Sequence, residues 1–188
     1  KIYEKQKNVL QQGVVLNKIA RVHRKLKNNI KALTYYDLLL KLEIEAENQE
    51  GIAVALNESG VVYEQLGDYE EAQNRYRRSL DIQKARGDST GIGYALAFIG
   101  YNYLLQSNWK ESEKYLLESL NYFKKTNDYF AMCYNYSYLG QLYSKTKQVE
   151  KSNEFINKST KIARKINYLD IEIENTEGLI HNLESTGD

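Results

Sequence analysis

Proline is absent from the 188 residues, cysteine, methionine and tryptophan occur once each, and glycine only 11 times. Each scarcity removes a class of structure. Without proline, nothing forces a helix to break, and the composition allows long uninterrupted helices. One thiol, Cys133, excludes an internal disulfide and any cysteine-based metal centre, since both need at least two, and leaves the thiol as packing. No long apolar run exists. Stretches such as Leu38-Leu39-Leu40 fall far below the roughly 20 residues that a spanning helix needs, so no membrane contact is expected of this segment. A charged start, apolar stretch and small-residue cleavage site are also missing, and the chain opens on Lys1, so localisation carries no direct signal; cytoplasm is favoured over periplasm. Charge nearly cancels at +1, while 42% apolar content is enough for a sizeable core.

Against these absences stands a forty-residue period. Gly60, Gly100 and Gly140 coincide on sliding the chain against itself, as do Tyr63, Tyr103 and Tyr143, with Ala20 and His23 in an earlier copy. Small residues follow at Ala32, Ala72, Ser112 and Ser152, and again at Ser79, Ser119 and Ser159. Within a copy, apolar or small residues recur three and four apart, as in Leu56, Ser59, Gly60 and Tyr63, then Ala72, Tyr76, Ser79 and Leu80; this predicts two helices per copy. A mid-helix glycine costs roughly 1 kcal/mol relative to alanine, so three at one offset predict a tight helix crossing. Gly67-Asp68 and Ser107-Asn108 separate the helices of a pair, and Asn48, Asp88 and Asp128 open the next. The predicted helices cover about 9–27, 29–46, 49–66, 69–86, 89–106, 109–126, 129–146, 149–166 and 169–185.

This pattern resembles the tetratricopeptide repeat. Leu56, Ser59-Gly60, Tyr63, Ala72 and Tyr76 match its signature; Leu96, Ile99-Gly100, Tyr103, Ser112 and Leu116 follow, then Tyr136, Leu139-Gly140, Tyr143, Ser152 and Ile156. Leu16, Ile19-Ala20, His23, Ala32 and Tyr36 form the weakest copy. The family repeat is usually 34 residues, and the extra length here falls between the second helix and the next copy. The resemblance implies an all-α fold, a right-handed α-solenoid of antiparallel helix pairs with about nine helices. Repeats are expected at about 13–52, 53–92, 93–132 and 133–172, within one array spanning 1–188, with partial repeats at 1–12 and 173–188. Ile2 shares the offset of Leu42, Ile82, Tyr122 and Ile162, which predicts that residues 1–8 end a second helix; Thr186-Gly187-Asp188 shares that of Leu66-Gly67-Asp68. Both ends then read as cut inside repeats of a longer protein, the alternative being that the acidic helix 169–185 is itself a solvating cap.

Chemistry is sparse. His23 and His181 lack partners at metal-ligand spacing, and Gly91, Gly93 and Gly100 satisfy no phosphate-cradling motif. No metal, cofactor or catalytic residue is assigned, and the chain is expected not to be an enzyme. Asn57-Glu58-Ser59, Asn135-Tyr136-Ser137 and Asn157-Lys158-Ser159 match the glycosylation triplet, but inside predicted helices they read as chance. Residues 1–40 hold nine Lys or Arg against two acids, giving +7, whereas 41–80 hold four against nine, giving −5. The basic patch Lys18, Arg21, Arg24 and Lys25, extended by Lys27 and Lys31, has no interleaved aromatic row, so it reads as a solvated face or a surface for an acidic protein rather than for nucleic acid.

In the resembled family the first helix of each pair lines a ligand groove. The stripe two residues ahead of the core set is Tyr94, Phe98, Tyr101 and Leu105 in one copy and Tyr134, Tyr138, Gln141 and Lys145 in the next; earlier copies give Val54, Glu58, Val61 and Gln65, and Val14, Lys18, Arg21 and Lys25. Of these, Tyr94, Phe98, Tyr101, Leu105, Tyr134, Tyr138 and Gln141 form the candidate partner-binding groove, the alternative being helix packing. Glu58, Tyr94 and Phe98 depart from the family subtype that clamps a C-terminal carboxylate with Lys and Asn. The expected function is a protein- or peptide-binding scaffold or sensor module. Forty-residue copies resemble those of bacterial signalling proteins such as histidine kinases and transcription regulators, and the Lys, Asn and Tyr bias fits an AT-rich bacterial genome. The alternative is a receptor region for a peptide pheromone or small ligand. Weak head-to-tail self-association between the basic first end and acidic last helix is a further expectation.

Overall fold

The computed structural model describes residues 2–186, with side chains from 11–184. Among the described residues there are nine helices and no strand: α1 (Ile2–Lys25), α2 (Asn29–Glu45), α3 (Gln49–Gln65), α4 (Tyr69–Arg86), α5 (Ser89–Leu105), α6 (Trp109–Thr126), α7 (Tyr129–Lys145), α8 (Val149–Lys165) and α9 (Leu169–Thr186). The chain divides into two compact units, 1–88 with α1–α4 and 89–188 with α5–α9.

Helices stop at a regular device. Every twenty residues, at Lys27, Glu47, Gly67, Gly87, Ser107, Asn127, Lys147 and Asn167, the backbone takes a positive φ between 54° and 79°. The next amide then reaches back five residues, as in Asn28 to the His23 carbonyl at 2.9 Å and Gln148 to that of Tyr143 at 2.8 Å, which satisfies carbonyls that the helix end leaves open. Side chains cap several of the following helices: Asn48, Asp68 and Asp128 accept from Gly51, Glu71 and Ala131 amides. One predicted boundary moves. The helix expected to start near residue 9, with residues 1–8 ending a separate second helix, instead runs unbroken from Ile2 to Lys25, because Asn8 is flanked by Lys, Gln, Val and Leu, residues that propagate a helix and supply no breaker. The turn expected at Gly187-Asp188 lies outside the described residues.

The three periodic glycines are points of near contact. A Cβ on Gly60 would lie 2.4 Å from the Tyr76 ring, on Gly100 2.8 Å from Leu116 Cγ, and on Gly140 2.5 Å from Ile156 Cγ1. Each pair joins the first helix of a repeat to its second, sixteen residues on, and the second-helix partners Tyr76, Leu116 and Ile156 are buried. Around these crossings, Ala20, Ala32, Tyr36, Leu39, Ala55 and Val62 form a core in unit 1, while Leu116, Leu120, Tyr136, Leu139, Leu142 and Tyr143 dominate that of unit 2.

Unit 2 also contains a repeated polar staple. The Ser119 hydroxyl donates to the Gly93 carbonyl of α5 at 2.8 Å and accepts from Asn135 of α7 at 2.8 Å. Forty residues on, Ser159 donates to the Cys133 carbonyl at 2.7 Å and accepts from Asn175 of α9 at 2.8 Å. All four side chains are buried, so each bond avoids the penalty of an unpaired polar group. In this way the second helix of a pair ties its own first helix to the next one. The Cys133 thiol joins the site as a packing group; burial pushes its pKa up and leaves it unreactive.

Candidate protein-interaction surface

Two of the first helices of unit 2, α5 and α7, carry the predicted stripe, and α9 follows them. Its seven residues, Tyr94, Phe98, Tyr101, Leu105, Tyr134, Tyr138 and Gln141, are all half-buried, the exposure expected of a lining rather than a core. Rings from two helices meet. Tyr101 of α5 lies against Tyr138 of α7 with centroids 4.3 Å apart and planes 31° apart, and Tyr138 neighbours Tyr134 at 6.2 Å. The row continues through two rings outside the stripe: Phe130 stands edge-on to Tyr134 at 5.2 Å, and Tyr168 lies 5.0 Å from Phe130 and 5.7 Å from Tyr134. The Tyr134 and Tyr168 hydroxyls share a hydrogen bond. Phe130 is 47% exposed, so the row opens to solvent at this end.

Two stripe residues behave differently. Tyr94 turns its ring edge-on to Phe123 of α6 at 5.1 Å and donates its hydroxyl to Asp128 at 2.9 Å, the same carboxylate that caps α7. Burial, then the Asp128 hydrogen bond and charge, push the Tyr94 pKa upward. It therefore serves as a bolt between α5, α6 and the start of α7, the packing role that the aromatic pattern alone left open. Gln141 gives its side-chain amide to Glu174 of α9 at 2.9 Å. The row assembled by the structure is thus Tyr101, Tyr138, Tyr134, Phe130 and Tyr168, with Phe98 and Leu105 half-buried on the α5 face beside Tyr101.

Charge is sorted by helix. α5 has no Asp, Glu, Lys or Arg, α7 has Lys145 alone among these, and α9 has Asp170, Glu172, Glu174, Glu177 and Glu184 without Lys or Arg; the three first helices net −4. The second helices have the opposite sign: four bases against three acids on α6 and five against two on α8 net +4. Glu172 pairs with Arg164 of α8 at 2.6 Å. Among the described residues Asp170 and Glu174 have no ion pair. Desolvation around its carboxyl raises the Glu174 pKa, opposed by the Gln141 bond and reinforced by Glu177. The Tyr134 hydroxyl is likewise pushed up by burial first, then by Tyr168, Glu174 and Asp170.

The basic patch of unit 1 divides. Lys18, Arg21 and Lys25 are exposed on one face of α1. Arg24 is drawn inward, 3.3 Å from the Glu58 carboxylate of α3, which also accepts the Tyr36 hydroxyl at 3.1 Å. His23 stacks on Tyr35 at 5.5 Å. Asn57 and Asn135 of the glycosylation-type triplets are buried, and Asn157 is exposed inside α8. No cluster of three His, Cys, Asp or Glu suited to a metal and no helix long and apolar enough to cross a membrane occurs among the described residues.

Phe130, Tyr168, Asp170 and Glu174 lie outside the sequence-derived stripe. One more forty-residue step from the stripe would have found Glu174, which shares the offset of Tyr94 and Tyr134, whereas Phe130 and Asp170 share an offset one turn earlier, before the stripe begins. Tyr168 sits in a turn, where helical periodicity has no reach.

Comparison with known proteins agrees with this architecture. Two tetratricopeptide repeat profiles match, one over residues 11–85 and the other over 134–166. Aspartyl phosphate phosphatase F from Bacillus subtilis superposes with a TM-score of 0.78 at 17% identity, over 94% of this chain and 50% of that one. BtubC from P. vanneervenii gives 0.78 at 15% identity, over 98% and 80%. A signal transduction ATPase with a tetratricopeptide repeat sensor from Pyrococcus horikoshii gives 0.75 at 20%, over 100% and 29%. The chain spans half the length of the phosphatase, and at these identities the likeness is one of fold. No curated protein matches by sequence. The fold class is therefore the all-α solenoid of helix pairs expected from the period, an architecture that serves as a protein-interaction scaffold.

Proposed function

We propose, from the premise that this chain belongs to the tetratricopeptide repeat family, that unit 2 holds a segment of a partner protein or peptide on the aromatic row of Tyr101, Tyr134 and Tyr138. The observation that carries this reading is the contact of Tyr101 with Tyr138 across two first helices, made by half-buried rings and continued to exposed Phe130. Rings already seated against one another lose little freedom when a ligand covers them, which is why aromatic side chains dominate binding energy. The chain works by binding in this reading, with repeats at about 13–52, 53–92, 93–132 and 133–172, and with no catalytic chemistry of its own. It forms the sensing or scaffolding part of a larger signalling protein of bacterial type. The likeness to a bacterial phosphatase and to an ATPase whose repeats are described as a sensor supports that placement.

The experiment is selection of short random peptides displayed on phage against the immobilised chain, followed by affinity measurement on synthetic copies of the enriched peptides. Tyr138→Ala should weaken them by about thirtyfold, the effect of losing one binding hot spot of ~2 kcal/mol. Its melting temperature should fall much less than that of Leu139→Ala, which empties a buried position. Absence of enrichment, or enriched peptides indifferent to Tyr101, Tyr134 and Tyr138, overturns the proposal.

A further inference from the structure

The row of rings is apolar, but its margin is not neutral. Glu174 occupies on α9 the register position that Tyr134 holds on α7, and it is tied to the stripe through Gln141 at 2.9 Å. Asp170, one turn earlier on the same face of α9, occupies the position of Phe130. Both carboxylates are exposed, and their charges add, after burial and Tyr168, to the upward pKa shift of the Tyr134 hydroxyl.

Among the described residues no base pairs with either. Arg164 pairs with Glu172 at 2.6 Å, Lys158 meets Glu154 and lies over Phe155, and Lys151 lies over Tyr143. Lys165 lies 4.6 Å from the Tyr129 ring centroid. These bases of α8 are engaged with other acids and rings, while Asp170 and Glu174 have no ion pair among the described residues. With α5 uncharged and α7 contributing only Lys145, the helices that bear the row and its margin carry a net negative charge.

Carboxylates at the margin of a row of tyrosine rings suit an alkylammonium or guanidinium group: the ring quadrupole attracts the cation, the carboxylate neutralises it, and the apolar stem packs on the ring. We infer that the aromatic row of unit 2 selects a partner segment carrying lysine or arginine, with the cationic head between Tyr134 and the carboxylates of Asp170 and Glu174 and the segment's apolar side chains on Tyr101 and Tyr138. This deepens the proposed function and rests on it. The sign also matters: an acidic segment is disfavoured on this surface by like charge, whatever the exposed bases of α1 attract.

The probe is the same displayed library of short random peptides. Against the parent chain, enriched peptides should hold a lysine or arginine near apolar residues, and replacing that base by norleucine in a synthetic copy should weaken binding by about tenfold, the value of one well-placed charge with a ring and a carboxylate. The double variant Glu174→Gln, Asp170→Asn should weaken the basic peptide by a similar factor and leave the norleucine peptide unchanged, so that the two lose their difference. Glu118→Gln, an exposed acid of α6, should change neither. High salt should narrow the gap in the parent chain. Enriched peptides that require Tyr138 but are neutral or acidic would overturn the charge preference and leave peptide binding standing. A basic preference that survives the double variant would also overturn it. If no peptide is enriched, both proposals fall.

Discussion

Gly100 and Gly178 offer the same substitution with opposite expected signs. Both lie inside helices of unit 2, so alanine brings each the same gain in helix propensity, about 1 kcal/mol, part of it through the unfolded chain. Their neighbours differ. A Cβ on Gly100 would stand 2.8 Å from Leu116 Cγ, 2.9 Å from Cδ2 and 3.0 Å from the Leu116 backbone nitrogen. Carbon atoms rest about 3.5–4.0 Å apart, so α5 and α6 must separate or Leu116, which is fully buried, must leave its rotamer. Overpacking of this kind costs about 1–3 kcal/mol, which exceeds the propensity gain and leaves Gly100→Ala about 1 kcal/mol less stable. On Gly178 the Cβ meets only Ile156 Cδ1, at 3.1 Å. That methyl ends a flexible side chain and can swing by a few tenths of an ångström, so Gly178→Ala should gain about 0.5 kcal/mol. Urea unfolding followed by far-UV circular dichroism should separate the two variants by about 1.5 kcal/mol, or several degrees in melting temperature. The propensity contribution cancels in that difference and packing remains. If Gly100→Ala is as stable as Gly178→Ala, the α5–α6 crossing is not held by close approach at Gly100.

Three further outcomes follow from particular sites. Lys147 is exposed and carries φ 59°, a conformation that costs a side-chain-bearing residue about 1–2 kcal/mol, so Lys147→Gly should raise stability by about 0.5–1 kcal/mol in a urea titration after glycine's own entropy is set against it. Ser159→Ala removes the acceptor of the buried Asn175 amide and the donor to the Cys133 carbonyl, which should cost about 2 kcal/mol by the same assay. Because the folded pKa of Glu174 is raised, its contribution is fully present below the unfolded carboxyl pKa, about 4.3, and is lost as pH rises through the folded value; Glu174→Gln should therefore melt higher than the parent chain at neutral pH and equally in acid.

How far the sequence reveals this arrangement depends on the range of each signal. Gly60, Gly100 and Gly140 could be read as crossings because a repeated fold repeats its close contacts at one offset. The turns were only partly visible: glycine marks Gly67 and Gly87, whereas Lys27, Glu47 and Lys147 adopt the same left-handed geometry without a favourable residue type. There the period, not propensity, points to the break. On α5 and α7 the spacing of four and three located a lining face, yet it has no information on where a ring turns. Tyr94 left that face because Asp128 stands thirty-four residues away at the next helix start, and Arg24 left the basic patch for Glu58, also thirty-four residues away. Such pairings arise only when helices are set side by side.

The polar staples give neighbouring first helices of unit 2 a second tie, beside the ring contact of Tyr101 with Tyr138. Here Ser119 and Asn135 join α5, α6 and α7, and Ser159 and Asn175 join α7, α8 and α9, through bonds that are buried and directional. Asparagine stands at this offset in α7 and α9, with Ala55 and Ala95 in its place on α3 and α5. The staple thus belongs to the helices that carry Phe130, Tyr134, Tyr138, Asp170 and Glu174, and it fixes the separation of rings from carboxylates before a ligand arrives. A direct consequence distinguishes alignment from simple stability. Ser159→Ala, measured where it remains folded, loosens α9 against α7 and shifts Glu174 relative to Tyr134, so it should weaken a lysine-bearing peptide more than its norleucine analogue. Equal weakening of both would mean that the staple supports the fold without setting the geometry of the charged end.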